Sequence, residues 1–368
     1  MTTPPAAFEL DRFQPGPLDA ITDVVGVGVG HATIVRGDGD LVVGEGPVRT
    51  GVTIVMPHDG DPFAEPVFAG VHRLNGNGEM TGVSWIAESG LLTSPVGLTN
   101  SHSVGVVRDG LIAEAVRHSR ELGDRWRLPV VAETWDGRLN DLNGQHVMPE
   151  HVATALADVR TGRFERGNVG GGTGMICHEF KGGIGTASRV LEPGDGGYTV
   201  GVLVQANHGR RTRLRFGSIP LGALIGPDFV PLPSGPMSPM GGAGSVIVVV
   251  ATDAPLLPHQ LNRLAQRAGL GIARAGGSGE HDSGDLFLAF STAARGIPAD
   301  ANGVQHDEYT VRVLHHSRIT ALFDAVIEAT EAAVLDALLS AETMTGRDGT
   351  TAWSIRPAID RYLSRSDG

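Results

Sequence analysis

Residues 199–206 (Thr-Val-Gly-Val-Leu-Val-Gln-Ala) and 245–251 (Ser-Val-Ile-Val-Val-Val-Ala) are nearly continuous runs of β-forming apolar residues. A strand with one face in water alternates apolar and polar side chains. A strand that does not alternate has to be covered on both faces. Helical spacing follows close by, with Leu261, Leu264, Ala265 and Ala268 recurring within 258–270, and residues 319–341 read as one or two long helices. The chain therefore reads as α/β, a layered fold with helices on two sheet faces. No linker and no internal repeat divides it. At 368 residues and 41% hydrophobic content it can bury a large single core.

Shorter signals fill in the rest. Residues 24–29, 52–56, 83–88, 104–107, 129–133 and 286–290 read as strands. Residues 110–122, with Leu111, Ile112, Ala115 and Val116 at helical spacing, and 149–161 read as helices. The Pro-rich stretch 1–18 is an ordered arm or a loose tail. From 208 to 244 the periodicity dissolves. Arg210, Arg211, Arg213 and Arg215 precede a Pro/Gly/Met-rich run over 232–244, which predicts a flexible, accessible segment leading directly into a buried strand.

Charge and side-chain inventory remove several classes of function. The net charge of −12, without basic runs, argues against nucleic acid or an anionic membrane as partner. One cysteine, Cys177, forms neither an intrachain disulfide nor a Cys-based zinc cluster. Lys181 is the only lysine, and its surroundings fit neither a phosphate-loop lysine nor an S-x-x-K dyad. The N-terminal stretch is acidic and lacks a long apolar core, and no apolar run is long enough to span a bilayer. The expectation is a soluble, cytoplasmic protein. The 53 glycines, about twice the ordinary share, sit in discrete clusters between apolar runs.

The sharpest local signal is Gly244-Ser245. One reading is a turn feeding a strand. The other is a self-cleaving junction: the Gly244 carbonyl is unhindered, attack by the Ser245 hydroxyl converts the peptide to an ester, and water releases Ser245 as a new N-terminus. Its amine, with an unperturbed pKa of about 7.7–8.0, is then a base beside its own hydroxyl. The loop 276–285 carries Ser278, Ser283, Glu280 and Asp285 just before a strand, which suits a site and equally an ordinary turn. Asn207 ends the 199–206 run, as a turn former or as a neutral donor to an oxyanion. Glu133 is a solvated strand end or a counter-charge for a substrate ammonium. Gly170 to Gly174 and Gly26 to Gly30 miss the spacing of nucleotide-binding loops, so no cofactor is expected. Among 14 histidines, His178-Glu179 lacks the H-E-x-x-H partner and His315-His316 are badly placed for one ion, so no metal is expected either.

Longer segments carry a resemblance. They include Asn75-Gly76-Asn77-Gly78-Glu79-Met80-Thr81-Gly82, Leu98-Thr99-Asn100, Glu133-Thr134-Trp135-Asp136-Gly137, GGGTGMICHEFKGGIGTASR over 170–189, Val204-Gln205-Ala206-Asn207, Gly244-Ser245-Val246-Ile247, Ser283-Gly284-Asp285-Leu286-Phe287, and Thr343-Met344-Thr345-Gly346-Arg347-Asp348-Gly349. Together they resemble the DmpA-type self-processing aminopeptidases, the L-aminopeptidase/D-esterase and β-peptidyl aminopeptidase family, over almost the whole chain. The resemblance implies a four-layer α/β/β/α sandwich, similar to N-terminal-nucleophile hydrolases but differently connected. It implies autocleavage of a single domain, 1–368, into 1–244 and 245–368, which stay together as one αβ unit and assemble further, often as a tetramer of heterodimers.

By the same resemblance Ser245 is the nucleophile, and Ser283 and Asp285 support it, the acid being Glu in some members. Asn207 is the oxyanion donor and Glu133 holds the substrate's free amine. The implied substrates are short peptides, amides and esters with a free N-terminal amine, their stereochemistry and α- or β-character left open. Some members carry a Tyr soon after the Asp-Gly pair. This chain reads Gly137-Arg138-Leu139-Asn140 there, which bears on substrate range. Two other readings stand beside this one: an acyltransferase like the ornithine acetyltransferases of similar fold, which use Thr as nucleophile, and an uncleaved, non-catalytic binding protein.

Overall fold

The computed structural model describes residues 12–118, 126–234, 244–295, 297 and 308–366, with side chains described as far as 361. The strands are β1 (Gly28–Arg36), β2 (Val48–Met56), β3 (Val67–Gly76), β4 (Leu91–Leu92), β5 (Val96–Asn100), β6 (Val130–Thr134), the short pair β7 (Ile176–Cys177) and β8 (Phe180–Lys181), β9 (Gly183–Val190), β10 (Thr199–Asn207), β11 (Ser245–Thr252) and β12 (Gly284–Ser291). The helices are α1 (Val83–Ser89), α2 (Val104–His118), α3 (Pro149–Ala157), α4 (Leu221–Leu224), α5 (Pro258–Arg274), α6 (Thr320–Ser340) and α7 (Arg356–Ser366), and a further short strand pair joins β13 (Met344–Thr345) to β14 (Thr351–Ala352).

Two sheets account for most strands, one in the order β1-β2-β5-β6 and the other in the order β4-β3-β12-β11-β10-β9. β11 shows why the sandwich needs four layers. Ile247, Val249 and Ala251 join Leu203, Leu288 and Phe290 in a core that also holds Val55, Val96, Leu98 and Val130 of the smaller sheet. Val246, Val248 and Val250 point the other way, into a core with Leu261 and Leu264 of α5 and Leu322 and Val326 of α6. The outer face of the smaller sheet, with Val52, Ile54 and Val131, packs on Val107 and Leu111 of α2 and Val152 of α3. The layers are thus helix, sheet, sheet, helix, and the uninterrupted apolar run of β11 serves two cores in alternation. No helix among the described residues is long and apolar enough to cross a membrane.

Several expectations need correction. Residues 83–88 and 104–107, read as strands from their β-branched content, belong to α1 and α2. Gly82 and Gly90, both left-handed at φ 74°, bracket α1 and end it within two turns. In α2, tertiary packing of Val104, Val107 and Leu111 on the sheet overrides the weak strand preference of valine. That helix is described to His118, so the expected end at 122 lies outside the described residues. Strand β1 begins at Gly28, with residues 24–27 in the turn before it.

The segment after Asn207 is also more structured than its composition predicts. Phe216, Leu221, Ile225 and Val230 are buried in the helix-side core. Arg211 is buried against the Phe180 ring, its guanidinium donating to the carbonyls of Glu179, Pro231 and Val230. Residues 235–243, the centre of the expected flexible run, lie outside the described residues. Of the Pro-rich N-terminus, 1–11 lie outside them too. From Arg12 on, the arm packs on the fold, with Phe13 buried and the Gly16 N–H donating to Ser188 Oγ at 3.0 Å.

Some of the glycine excess has a packing cause. A Cβ on Gly185 of β9 would strike the Ala333 carbonyl and sit 2.5 Å from the Ala337 nitrogen, because α6 lies directly on that strand. A Cβ on Gly105, in the first turn of α2, would meet nothing within 4 Å. Gly185→Ala is expected to destabilise by about 1–3 kcal/mol through overpacking. Gly105→Ala is expected to be neutral or stabilising by up to about 1 kcal/mol through helix propensity. Chemical denaturation of the two variants beside wild type checks this, and equal destabilisation by both would contradict it.

Candidate active site

Three strands of the larger sheet end together. Antiparallel pairing sets Asn207, the last residue of β10, opposite Ser245, the first of β11. Parallel pairing sets Gly284, the first residue of β12, beside Ser245 on the other flank. Partners in a ladder share a face, and Ile247, two residues on, lies in the core between the sheets. Asn207, Ser245 and Gly284 therefore face the smaller sheet. The Gly284 N–H donates to Ser245 Oγ at 3.3 Å. Ser245 is buried.

On the opposite face of the same strand ends, Asp285 pairs with Val246, which lies in the helix-side core. Ser283 Oγ donates to Asp285 Oδ1 at 2.6 Å. Burial lifts the Asp285 carboxyl above its ordinary range, while hydrogen bonds from Ser283, the Val246 N–H and Asn75 pull it back. Ser283 and Asp285 line a small cavity with Gly244, His208, Gly209 and Ser278. The acid-hydroxyl pair thus borders the Gly244 side of the junction, while the Ser245 hydroxyl hydrogen-bonds the backbone of the residue between them. Gly244 is itself fixed by close approach: a Cβ there would collide with the Asn207 carbonyl and lie 2.7 Å from His208 Cα.

Glu133 comes from the smaller sheet. It sits in β6, paired in parallel with Thr99 of β5. Its Oε1 accepts the Glu79 N–H at 3.1 Å, and its Oε2 accepts a short hydrogen bond from Ser101 Oγ. Burial raises its carboxyl above the usual range, and those two donors oppose the rise. Gly78 separates Glu133 from the strand ends, since a Cβ on Gly78 would lie 3.1 Å from both Glu133 Oε1 and Gly284 Cα. A buried carboxylate thus lies one glycine away from the residue that hydrogen-bonds Ser245, with the charge to receive a small cation.

The Asn207 amide is locked at both ends. Its Oδ1 accepts the Ile176 N–H at 2.8 Å and its Nδ2 donates to the Trp135 carbonyl at 2.8 Å, which fixes which end is nitrogen and leaves a second Nδ2 proton for another acceptor. The loop that presents Ile176 is organised by Lys181. This fully buried ammonium donates to the carbonyls of Gly182 at 2.8 Å, Met175 at 2.9 Å and Gly172 at 3.4 Å. Burial pushes its pKa down to about 7. The lone lysine is thus one step removed from the strand ends, holding the loop that holds Asn207.

The structure brings together Asn207, Gly244 and Ser245, sets Ser283 with Asp285 beside them, and puts Glu133 across Gly78. Sequence reasoning missed the partners that act through the backbone or at short range: the Gly284 N–H, the Ile176 N–H, the Trp135 carbonyl and Ser101. Only Ser101 carried a local signal, as the hydroxyl following the Leu98-Thr99-Asn100 strand end. It also missed a cluster. Cys177, His178 and His208 are all buried, and one ligand-type atom from each lies within 4.8 Å of the others. Burial pushes His178 down to about 4, His208 well below its ordinary value and the Cys177 thiol up to about 12.

Asp136, next to Trp135, is fully buried and accepts from Asn140 Nδ2 at 3.0 Å. Burial raises its pKa to about 7, with hydrogen-bond donors around it pulling the other way. Its folded value thus exceeds its unfolded value, so the acid form stabilises the fold below about pH 4 and that contribution is lost as pH rises through about 7. Asp136→Asn is expected to match wild type near pH 4 and to exceed it increasingly up to pH 8, by as much as roughly 4 kcal/mol at about 1.4 kcal/mol per unit. Denaturation at both pH values checks this, and a pH-independent difference would contradict it.

Known proteins resemble this chain in sequence and fold. The model for peptidase family S58 matches residues 19–352. Beta-peptidyl aminopeptidase BapA of Sphingosinicella microcystinivorans is 46% identical over 345 residues, spanning 92% of this chain and 85% of that protein. Its namesake in Sphingosinicella xenopeptidilytica is 44% identical over 93% of this chain and 85% of its own. Among solved structures, a Burkholderia sp. beta-aminopeptidase superposes with a TM-score of 0.87 at 48% identity, over 96% of this chain and 95% of its own. The L-aminopeptidase D-Ala-esterase/amidase of Ochrobactrum anthropi, described as a prototype for the serine aminopeptidases and a variant of the Ntn hydrolase fold, gives 0.86 at 42% identity over 97% and 96%. With its fold, its strand-end serine and these relatives in agreement, the chain belongs to peptidase family S58 and is an aminopeptidase of that family.

Proposed function

We propose that the chain cuts itself between Gly244 and Ser245 and that the freed Ser245 is the nucleophile of the mature aminopeptidase. The observation that carries this is the setting of Ser245: a hydroxyl residue opening a buried strand, its Oγ held by the Gly284 N–H, opposite Asn207 and directly after a glycine that no larger residue can replace. In self-cleavage Oγ attacks the Gly244 carbonyl carbon, and the C–N bond breaks as the new ester forms. Water then splits the ester into a Gly244 carboxylate and a Ser245 with free amine and hydroxyl. The fragments are 1–244 and 245–368, retained as one αβ unit.

In turnover the same Oγ attacks the carbonyl of the substrate's N-terminal residue and gives up its proton to the new Ser245 amine. Ser283 and Asp285, bordering the Gly244 side of the junction, steady that amine. The uncommitted Nδ2 proton of Asn207 meets the oxyanion, a contact of the kind worth about 3–4 kcal/mol. The tetrahedral intermediate expels the amine or alcohol leaving group, which takes the proton. Water then hydrolyses the acyl-enzyme by the same route. Glu133 binds the substrate ammonium, which limits the enzyme to free N-termini. The names of the relatives support β-aminoacyl peptides and amides as substrates, with D-alanyl esters and amides a second class. The family resemblance also supports assembly of several αβ units.

Intact mass under denaturing conditions tests the processing step. Wild type is expected to give two fragments of 244 and 124 residues, and Ser245→Ala one uncut, inactive chain. An uncut wild type that hydrolyses β-aminoacyl p-nitroanilides would overturn the proposal. Glu133→Gln tests amine recognition. It is expected to cut itself normally yet lose kcat/KM by about 30-fold or more, the cost of truncating one partner of a buried charge pair. Because burial raises Glu133, the wild-type profile is expected to fall on the acid side at a pH above the usual carboxylate range, as Glu133 is protonated. The same limb is expected to vanish in Glu133→Gln, and its persistence would show that another group controls it.

A further inference from the structure

The Cys177, His178 and His208 cluster has no part in the proposed chemistry, yet it is built like a ligand set. β7 and the strand end after β10 bring together residues that lie 31 positions apart in sequence, with Cys177 Sγ 3.9 Å from His208 Nδ1. The two imidazoles meet edge to face with ring centroids 5.2 Å apart. His178 takes a left-handed backbone at φ 49°, an uncommon conformation for a residue with a side chain, and its N–H donates to the His208 carbonyl at 2.7 Å.

A second observation is independent of this clustering. His178 Nε2 and His208 Nε2 are buried and have no hydrogen-bond partner among the described residues. A buried nitrogen left without a partner costs free energy, and two in one cluster are a standing cost unless something occupies them.

The groups behind the cluster match those that support metal ligands. The Arg210 carbonyl is 3.1 Å from His178 Nδ1 and can only accept, so Nδ1 carries the proton and Nε2 presents its lone pair. A carbonyl on the far nitrogen is the usual orienting partner of a ligating histidine. The His208 backbone hydrogen-bonds the Cys177 sulfur, a contact that favours thiolate. One sulfur and two imidazoles select a soft, thiophilic ion over Mg2+ or Ca2+. Lys181 narrows the choice further. It lies on β8, which pairs with the β7 strand that carries Cys177, and a divalent ion would add two positive charges near its ammonium against a single thiolate. A monovalent ion adds one. His208 also lines the small cavity that Gly244, Ser283 and Asp285 border.

We propose that Cys177, His178 and His208 form a three-coordinate site for Cu+. Binding replaces the thiol proton by the metal, the proton leaving to solvent, and involves no change of oxidation state. The site stands apart from the Ser245 chemistry and does not depend on it.

The test loads purified wild-type protein with Cu+ under anaerobic conditions in competition with bicinchoninate, then removes excess. The expected result is one copper per chain, with copper-edge X-ray absorption showing one sulfur and two nitrogen neighbours. Ser245→Ala is expected to bind equally. Cys177→Ser and His178→Gln are expected to bind at least about a hundredfold more weakly, the upper end of what even an outer-shell loss costs. No copper retained by wild type, a nitrogen- and oxygen-only coordination shell, or undiminished binding by both ligand variants would each overturn the proposal. Tighter retention of Zn2+ than of Cu+ in parallel loading would overturn the monovalent assignment. The wild-type measurements decide the matter even if a variant fails to fold.

Discussion

The pairing of β11 with β10 on one side and β12 on the other is the interaction on which the rest of the molecule depends. Those ladders align Asn207, Ser245 and Gly284 at one end of three neighbouring strands of the larger sheet, within a single register. A slip of one residue would turn Ser245 toward the helices and bury Val246 and its successors against the wrong core. Register is firmly specified because β11 has no polar face to spare: every residue of it is buried. The demand for cover on both sides that makes the fold four layers deep is thus the same demand that fixes where the strand-end hydroxyl points.

Around that register the site is divided between the two faces of the sheet at these strand ends. Asn207, Ser245 and Gly284 look toward the smaller sheet, which supplies Glu133 and the Trp135 carbonyl. Ser283 and Asp285 lie on the helix side, bordering Gly244. In the proposed reaction this division has a use: the amine released from Gly244 and the hydroxyl that attacks the substrate belong to one residue yet need different neighbours. Buried carboxyl groups are tolerated on both faces because each is met by donors, Ser101 and the Glu79 N–H at Glu133, and Ser283 at Asp285.

Much of this was legible in the sequence, for physical reasons that differ from residue to residue. The runs at 199–206 and 245–251 announced two-sided burial, and the spacing of Leu261, Leu264 and Ala268 announced α5. Asn207 and Ser245 were found because each ends or opens such a run. Residues 83–88 and 104–107 misled because valine's local preference was outweighed by packing and by glycine stops. The stretch after Asn207 misled in the opposite sense, since scattered apolar residues such as Phe216 and Ile225 have no period and reveal their burial only in three dimensions. Backbone donors such as the Gly284 and Ile176 N–H groups have no side-chain signature at all. The Cys177, His178 and His208 cluster was invisible because its members are joined by the fold and not by spacing.

The central claim is that the working nucleophile is a Ser245 that has become an N-terminus. Peptide mapping after inactivation with a serine-directed acylating inhibitor tests it most directly. The account predicts a single adduct, on the hydroxyl of a peptide that begins at Ser245 and has lost Gly244. An adduct on Ser283, or on a peptide in which Gly244 and Ser245 are still joined, would contradict it.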